Sequence, residues 1–310
     1  MSKLITFGSK EPLEVSNKDI RGLNLSCQLV HNTNNTDFVD ADLDLSKITV
    51  EVVLQRAGKT FTIATGNVRD LVSFSNYKNE LFLGARAFTG ILRTTLAKDT
   101  SVKTTCVVPL NIDFGGIINL RGSDKLTVNV EAQSGAINST NVNSSTSKVY
   151  FEFKEGIGLE YGTPYLKVQY IPVNQSLFSV PAGDNVTKAV LLNFDLAVTN
   201  YLSSTRPVSS VVMKSDKLNS SRTFDELLAD QFVALLDADD APIRGQNYLL
   251  HDGVELDKCT IEVNLVSANV TADKNCVVWS SFYVDERLIV LAAQREAKHA
   301  ERDVQKVFKK

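Results

Sequence analysis

The sequence lacks the residue patterns that mark most enzyme active sites. It has only three histidines, and none stands in the HExxH or HxH spacing that binds metal. It also has no GxSxG nucleophile turn, no GxGxxG dinucleotide loop and no GxxxxGK[ST] phosphate loop. Titratable side chains are spread thinly along the chain. The sequence therefore proposes no catalytic, cofactor-binding or metal-binding residue, and we expect a protein that is not an enzyme.

Cysteine is scarce, and its placement argues against a disulfide framework. The four cysteines are Cys27, Cys106, Cys259 and Cys276, and no two stand at CxxC spacing. Three of them lie in alternating apolar stretches, where cysteine packs as a small hydrophobic residue. We expect free thiols in a protein made in the cytoplasm, and a Cys259–Cys276 disulfide is the alternative that the sequence leaves open.

The sequence has neither a strong excess of one charge nor a long apolar run. Its 33 basic and 36 acidic residues give a formal charge of −3, so no global field favours nucleic acid or an anionic surface. The first residues, MSKLITFGSKEPLEV, lack the apolar stretch of a secretion signal. The apolar run Leu288–Ala293 is far too short to span a membrane. We expect no specific nucleic-acid partner and no secretion signal.

Strict alternation of apolar and polar residues is the strongest pattern that is present. It is clearest in residues 48–54, 126–132, 190–196 and 259–265. Such alternation is typical of strands that bury one face, and turn-rich stretches such as HNTNNTD and PAGDN separate the strands. The 310 residues are comfortable for two domains of ordinary size. The sequence therefore predicts an all-β protein.

One twelve-residue segment of the sequence is partly repeated later in the chain. SDKLTVNVEAQS, Ser123–Ser134, and LDKCTIEVNLVS, Leu256–Ser267, are identical at five of twelve positions without a gap. The second segment follows the first by 133 residues, counted from Asp124 to Asp257. Chance similarity between two amphipathic strands could explain this pair taken alone.

The order of elements around the two segments also repeats. Strand 48–54 precedes a helix opening at Asn67, and a strand near 208–213 precedes a helix opening at Thr223, where Thr223 and Glu226 form a capping box. Downstream, strand 149–153 corresponds to 277–283, and upstream, 23–30 corresponds to 190–196. We predict a duplicated unit: a first copy over 20–155, a linker over 156–163 and a second copy over 164–284.

The C-terminal residues 285–310 break the β pattern and predict a helix. Its apolar positions share one helical face: Ile289, Ala293, Ala297, Ala300, Val304 and Val307. Four residues at its end are candidates for contact with lipid head groups or an acidic neighbour: Lys306, Phe308, Lys309 and Lys310. A solvated, frayed helix end is the alternative.

Three polar clusters have simpler structural explanations. Asp40, Asp42 and Asp44 imitate the start of a calcium loop, but Leu45 stands where that loop needs glycine. Alternating aspartates also form the wet face of an extended segment. We interpret His251-Asp252-Gly253 as a tight turn that enters a strand at Val254, and residues 237–242 as a solvated loop.

The predicted chain has two tandem β units, each with a short helix, which are joined by a polar linker and followed by a C-terminal helix. This order of elements resembles the double jelly-roll major capsid proteins. These build the shells of tailless icosahedral viruses with an internal membrane. The carrying segments are ITVEVVLQRAGKTFTIATGNVRDL with SSVVMKSDKLNSSRTFDELL, LTVNVEA with CTIEVNLV, and TKAVLLNFDLAVTNY. The closest likeness is to corticoviruses and to the lipid-containing phages of flavobacteria.

The resemblance implies a fold, an assembly and partners. Each unit would be an eight-stranded jelly roll, and three chains would form a trimer whose six barrels give a pseudo-hexagonal outline. The partners would be other trimers, minor capsid and vertex proteins and the internal viral membrane. The protein would be made in the host cytoplasm and reside in the virion capsid. Residues 1–19 would form an N-terminal arm that lies, with the C-terminal helix, at the base of the shell. The resemblance implies no catalytic residue and no cofactor.

Two other functions stay open at this stage. One is a tandem β-sandwich module of a virus that binds a receptor or a glycan, but the single tryptophan, Trp279, falls within a predicted strand instead of a loop. The other is an enzyme on a β-sandwich scaffold, for which no residue pattern argues.

Overall fold

The computed structural model is built almost entirely from β-strands. It describes residues 2–78, 101–160, 162–172, 177–181, 186–193, 208–227, 247–256, 258–266 and 276–284, with the helical positions 290, 293, 294 and 297. Helix α1 is Val68–Lys78, and residues 224–227 are also helical. Three short 3₁₀ turns lie at Asp40–Asp42, Leu45–Lys47 and Ser134–Ala136.

The first eight strands form one closed unit of two sheets. They are β1 Ser2–Thr6, β2 Ser9–Ser16, β3 Asp19–Asn34, β4 Ile48–Arg56, β5 Lys59–Asn67, β6 Lys103–Asn119, β7 Lys125–Ala132 and β8 Lys148–Glu155. One sheet has the order β1-β8-β3-β6, and the order β2-β7-β4-β5 forms the facing half. The paired strands in each sheet are antiparallel and mostly non-consecutive, which is the arrangement of a jelly roll.

The next eight strands repeat this arrangement. They are β9 Gly162–Tyr170, β10 Leu177–Pro181, β11 Val186–Asn193, β12 Val208–Lys214, β13 Asn219–Thr223, β14 Asn247–Leu256, β15 Thr260–Leu265 and β16 Cys276–Val284. Their orders are β9-β16-β11-β14 and β10-β15-β12-β13. Adding eight to each strand number of the first unit gives the second. The predicted fold of two tandem eight-stranded jelly rolls is confirmed.

The repeated sequence segments occupy equivalent strands. β7 pairs with β2 and β4, and β15 pairs with β10 and β12. Helix α1 follows β5, and the helical residues 224–227 follow β13, the equivalent strand. Residues 126–132 and 259–265 therefore lie at matching places in two barrels of the same topology.

Alternation along the strands builds two apolar cores. β7 buries every second side chain, from Leu126 to Ala132, and β15 buries Ile261, Val263 and Leu265 in the same way. The large side chains Phe74, Phe114 and Phe151 fill the first barrel. Phe224 lies in the second.

The N-terminal segment differs from the predicted arm. Residues 2–16 form β1 and β2, which pair in continuous register with β8 and β7, and Leu13 is buried opposite Val128. The first barrel thus begins at Ser2. β2 is the last strand of its sheet, and it contains Pro12 and mostly exposed polar residues. Edge strands tolerate proline and charge, so their alternation in the sequence is weak.

Two further details differ from or extend the sequence analysis. Residues 251–253 lie inside β14, which stays paired with β11 across an irregularity between Thr187 and Ala189, so the predicted Asp-Gly turn is wrong. A hairpin there would need β14 to fold back on itself, but β11 pairs with it on both sides of the glycine. All four cysteines are buried thiols outside any disulfide.

Candidate functional site: the junction between the barrels

The two barrels meet through one continuous sheet. β5 and β9 lie side by side in parallel, with Ala64 opposite Leu166, and join their halves into the order β14-β11-β16-β9-β5-β4-β7-β2. Ala64 and Leu166 are fully buried. A Cβ atom on Gly66 would lie 3.2 Å from Cγ2 of Val168, so glycine permits this close approach. The junction therefore fixes one barrel directly against the other.

Arg56, at the end of β4, ties the first barrel to the start of the second. Its Nε donates to Oδ2 of Asp124 at 2.9 Å, its Nη1 to Oγ1 of Thr163 at 3.0 Å, and its Nη2 to the Asn119 carbonyl at 2.5 Å. The side chains of Arg56 and Asp124 are each only 12% exposed. Charge-assisted hydrogen bonds that are shielded from water in this way hold the two side chains in one relative position.

A second polar cluster joins α1 to β9. Asn67 Nδ2 donates to the Tyr170 hydroxyl at 2.8 Å, and that hydroxyl donates to Oδ2 of Asp70 at 3.2 Å. Asp70 is fully buried, and Arg69 Nε donates to its other oxygen at 3.0 Å. Burial, and then the charge of Asp70, raise the pKa of Tyr170 far above its usual value. Tyr170 is therefore a neutral phenol that keeps its proton for Asp70.

The junction also contains a partly buried lysine. Lys167 Nζ donates to the Thr62 carbonyl at 3.2 Å and lies 5.1 Å from the ring centroid of Tyr165. Burial lowers the pKa of Lys167. The hydrogen bond to Thr62 is a third polar contact between β9 and β5. The cation–π contact with Tyr165, in the same strand, holds the lysine in place for it.

The connection that leaves the first barrel is fastened as well. Asn119, 1% exposed, donates from Nδ2 to Oδ1 of Asp19 at 2.9 Å and to the Gly158 carbonyl at 2.8 Å, and its Oδ1 accepts from the Glu160 N–H at 3.0 Å. One buried amide thus holds the linker on the end of the barrel. The polar side chains of the junction bond to backbone groups and to one another. Their arrangement is typical of a network that makes a structure rigid.

The acidic residues noted in the sequence have structural roles. Asp42 is buried and accepts from the Val39 N–H and from Asn141 Nδ2, both at 2.8 Å. Asp44 caps a turn by accepting from the Ser46 N–H at 3.0 Å. Within the described residues, no group of three or more His, Cys, Asp and Glu side chains is placed to hold a metal ion. Residues 237–242 lie outside the described part.

The candidate contact residues Lys306, Phe308, Lys309 and Lys310 lie outside the described residues, so their role stays a prediction. Of the predicted C-terminal helix, positions 290, 293, 294 and 297 are helical and exposed. Ala293 and Ala297 belong to the predicted apolar face. Of the helices that the structure describes, none has the length and apolarity that a membrane crossing requires.

Most residues of the junction were not identified from the sequence. Arg56, Asn119 and Tyr170 carry no local signal, because each finds partners about 60 to 100 residues away in the chain. Asp124 is the exception, since it is one of the five positions repeated between the two units.

Comparisons with known proteins agree on the fold. No protein-family model and no curated protein matches the sequence. The chain is similar to the major capsid protein (MCP) of STIV, with a TM-score of 0.56, 11% identity and coverage of 92% of this chain and 94% of that one. A structure of Sulfolobus Turreted Icosahedral Virus matches with a TM-score of 0.54, 12% identity and coverage of 97% and 96%.

The major capsid protein P2 of bacteriophage PM2 also matches, at 9% identity over 91% and 97% of the two chains, with a lower TM-score of 0.38. At these identities the likeness establishes the fold. The chain has the double jelly-roll fold found in viral major capsid proteins.

Proposed function

We propose that this chain is the major capsid protein of a tailless icosahedral virus with an internal membrane, of the bacteriophage type that the sequence resembles. The observation that carries the proposal is the exact repeat of strand order between two barrels with a fixed junction. The matching structures span almost the whole chain, including both barrels. This role requires no catalytic residue and no cofactor.

The duplication has a direct use in a shell. Three chains that each hold two like barrels side by side can form a ring with three-fold symmetry. The six barrels of that ring give it a nearly hexagonal outline, and hexagonal units tile a lattice. The angle between the barrels must then be constant, since an error in it would be repeated three times in every ring. The side-chain contacts of Arg56, Asp70 and Lys167 at the junction support this requirement. The chain itself, minor capsid proteins at the vertices and the membrane are the proposed partners.

The oligomeric state of the purified chain tests the proposal. Size-exclusion chromatography with light scattering should give three times 34.1 kDa, and negative-stain images should show pseudo-hexagonal particles. A stable monomer that forms no larger particle at high concentration would contradict it. If a glycan array then gave strong, specific binding, the receptor- or glycan-binding alternative would replace it.

Membrane contact is proposed for the C-terminal segment. Deleting residues 297–310 should leave the trimer intact but reduce the lipid content of assembled particles or weaken their assembly. Particles with unchanged assembly and lipid content would remove the segment from the proposal.

A further inference from the structure

The junction is an example, within one chain, of how one barrel packs against another. The edge strand β5 and helix α1 of the first barrel lie against β9, β11 and β16 of the second. The contact therefore joins two different surfaces, an edge with its helix and the outer face of a sheet. Because the second barrel repeats the first, each surface has an unused counterpart. β13 and the helical residues 224–227 repeat the edge, and β1, β3 and β8 repeat the face.

The pairing of strands gives the correspondence residue by residue on the edge. β7 and β15 contain the repeated segment, and the strands next to them, β4 and β12, carry the match across to β5 and β13. Three pairs of positions correspond: Ala64 and Ser220, Asn67 and Thr223, and, three residues further on, Asp70 and Glu226. Both helices begin with the same kind of bond. Asn67 Oδ1 accepts from the Asp70 N–H at 2.9 Å. Thr223 Oγ1 accepts from the Glu226 N–H at 3.4 Å.

The same comparison matches the two sheet faces. Residues 149–153 of β8 correspond to 277–281 of β16, and β1 and β9 pair with these two strands. Four pairs of outward-facing positions correspond: Ser2 and Leu166, Leu4 and Val168, Thr6 and Tyr170, and Lys148 and Cys276. The four residues of the second barrel in these pairs pack into or against the core of the first barrel. Their counterparts in the first barrel form the unused face.

The positions that the junction covers on one barrel are bare on the other. Leu166 and Asp70 are fully buried at the junction. Their counterparts, Ser2 and Glu226, are exposed, and Leu4 is 48% exposed. One exposed residue would be ordinary on a surface, but here a whole set of matching positions differs in the same direction. A repeated head-to-tail contact gives this pattern, because a single chain includes it once and presents both of its surfaces again for the next copy.

The two unused surfaces carry opposite charges where the helix would meet the sheet. The hydrogen bond from the Thr223 N–H lowers the pKa of the exposed Glu226 carboxyl, so this group is negatively charged near neutral pH. Lys148 is half-buried on the sheet face, and its neighbours on β1 and β3 are uncharged. At the junction, the counterpart of Glu226 bonds to Tyr170, which is paired with the counterpart of Lys148. A repeat of the junction would therefore bring Glu226 of one copy beside Lys148 of the next.

One substitution makes the repeated contact looser than the junction. Arg222 stands where the first barrel has Gly66, which permits the close approach to Val168. The arginine would hold β13 further from β1 than β5 lies from β9. Such spacing suits an interface between chains, where side chains and bridging water commonly fill the gap.

We propose that β13 and the helical residues 224–227 of one copy pack on the outer face of β1, β3 and β8 of a second copy, as β5 and α1 pack on the second barrel within the chain. A contact between two different surfaces leaves the same two surfaces free at the ends of a dimer, so it continues until a ring closes. The inference rests on the proposed function, since three copies joined in this way would be the trimer, and it specifies which strands meet there.

Charge reversal tests the contact in the full chain. Lys148→Glu and Glu226→Lys should each raise the concentration at which half of the trimer dissociates by about tenfold or more, because each places like charges together. The two changes combined in one chain should restore most of the association, since opposite charges meet again in exchanged positions. Light scattering over a dilution series measures both results.

Two further variants separate the contact from other effects of these changes. Glu226→Gln keeps an acceptor for the Thr223 N–H, so it preserves the start of the helix and should weaken the trimer less than Glu226→Lys does. Lys10→Glu reverses an exposed charge on β2, at the far end of the continuous sheet, and should leave the trimer unchanged. Circular dichroism should show that every variant is folded.

Cross-linking tests which strands meet. Ser2 and Ser220 are the counterparts of Leu166 and Ala64, which lie opposite each other at the junction. The variant Ser2→Cys/Ser220→Cys, treated with a short bis-maleimide, should give covalent species of two and three chains. Because all four native cysteines are buried, the new thiols should dominate the reaction. Each single variant, and Ser16→Cys/Ser220→Cys with its exposed thiol on β2, should give far less.

The outcomes separate this inference from the proposed function. If the wild type forms trimers but neither charge reversal weakens them, if the combined variant does not recover, or if positions 2 and 220 do not cross-link, this contact is wrong and the proposed function stands. If covalent species form but the wild type gives neither trimers nor shells, the head-to-tail contact exists and the proposed function fails. If a concentrated wild type stays monomeric and no covalent species form, both are wrong.

Discussion

At the scale of single residues, Arg56 forms the most shielded ion pair of the junction, with Asp124, and two further hydrogen bonds. Arg56→Leu would leave Asp124 buried without its charge partner and Thr163 without its donor. Removing one member of a buried ion pair costs about 3–5 kcal/mol of unfolding free energy. We expect a loss of that size in urea-induced unfolding followed by circular dichroism.

Two further variants give the Arg56 prediction its control. Lys10→Leu removes an exposed pair with Glu131, whose atoms are 3.8 Å apart, and should cost no more than about 1 kcal/mol. Adding Asp124→Leu to Arg56→Leu should recover part of the stability, because it removes the stranded charge. Equal, small losses in Arg56→Leu and Lys10→Leu would show that the buried network does not stabilise the fold.

At the scale of elements, β2 is the strand whose role the sequence obscures. Leu13 is its buried anchor, facing Val128 in β7, so Leu13→Ala should cost about 2–4 kcal/mol through lost packing and the cavity left behind. Glu11→Ala, at an exposed position of the same strand, is the control and should change the unfolding midpoint little. If both variants unfolded like the wild type, residues 2–16 would be behaving as a loose arm.

Elements with strict alternation were predictable, and elements without it were not. β4, β7 and β15 bury every second residue, and the sequence indicates all three. β2 was not predicted because this edge strand has polar residues at most of its positions. The sequence indicated a turn within β14 because an Asp-Gly pair usually marks a turn, whereas here it lies at an irregularity in the pairing with β11. The repeat indicated two like β units, and the jelly-roll topology of each unit was implied by the resemblance to double jelly-roll capsid proteins.

At the scale of the whole molecule, the junction makes the two barrels interdependent. Tyr165 and Leu166 of β9 and Cys276 of β16 pack into the core of the first barrel although their strands belong to the second. Apolar burial shared between two units couples their unfolding, because neither can open without exposing part of the other. The polar ties at Arg56 and Asp70 add to this coupling and fix its geometry, which apolar packing alone does far less strictly.

Two probes, one in each barrel, can measure the coupling. Trp279 is the single tryptophan and lies in β16, so its fluorescence reports on the second barrel. Cys27 lies buried in β3 of the first, and burial raises the pKa of its thiol to about 12, so alkylating reagents should reach it only on unfolding.

Both probes should give the same urea midpoint in the wild type. In Arg56→Leu/Leu166→Ala, which weakens the junction, the midpoints should separate, whereas Leu25→Ala, a buried change in β3 of the other sheet of the first barrel, should shift them with less separation. Separate midpoints already in the wild type would mean that the barrels fold independently, and the rigid angle on which the proposed hexagonal tiling depends would lose its physical basis.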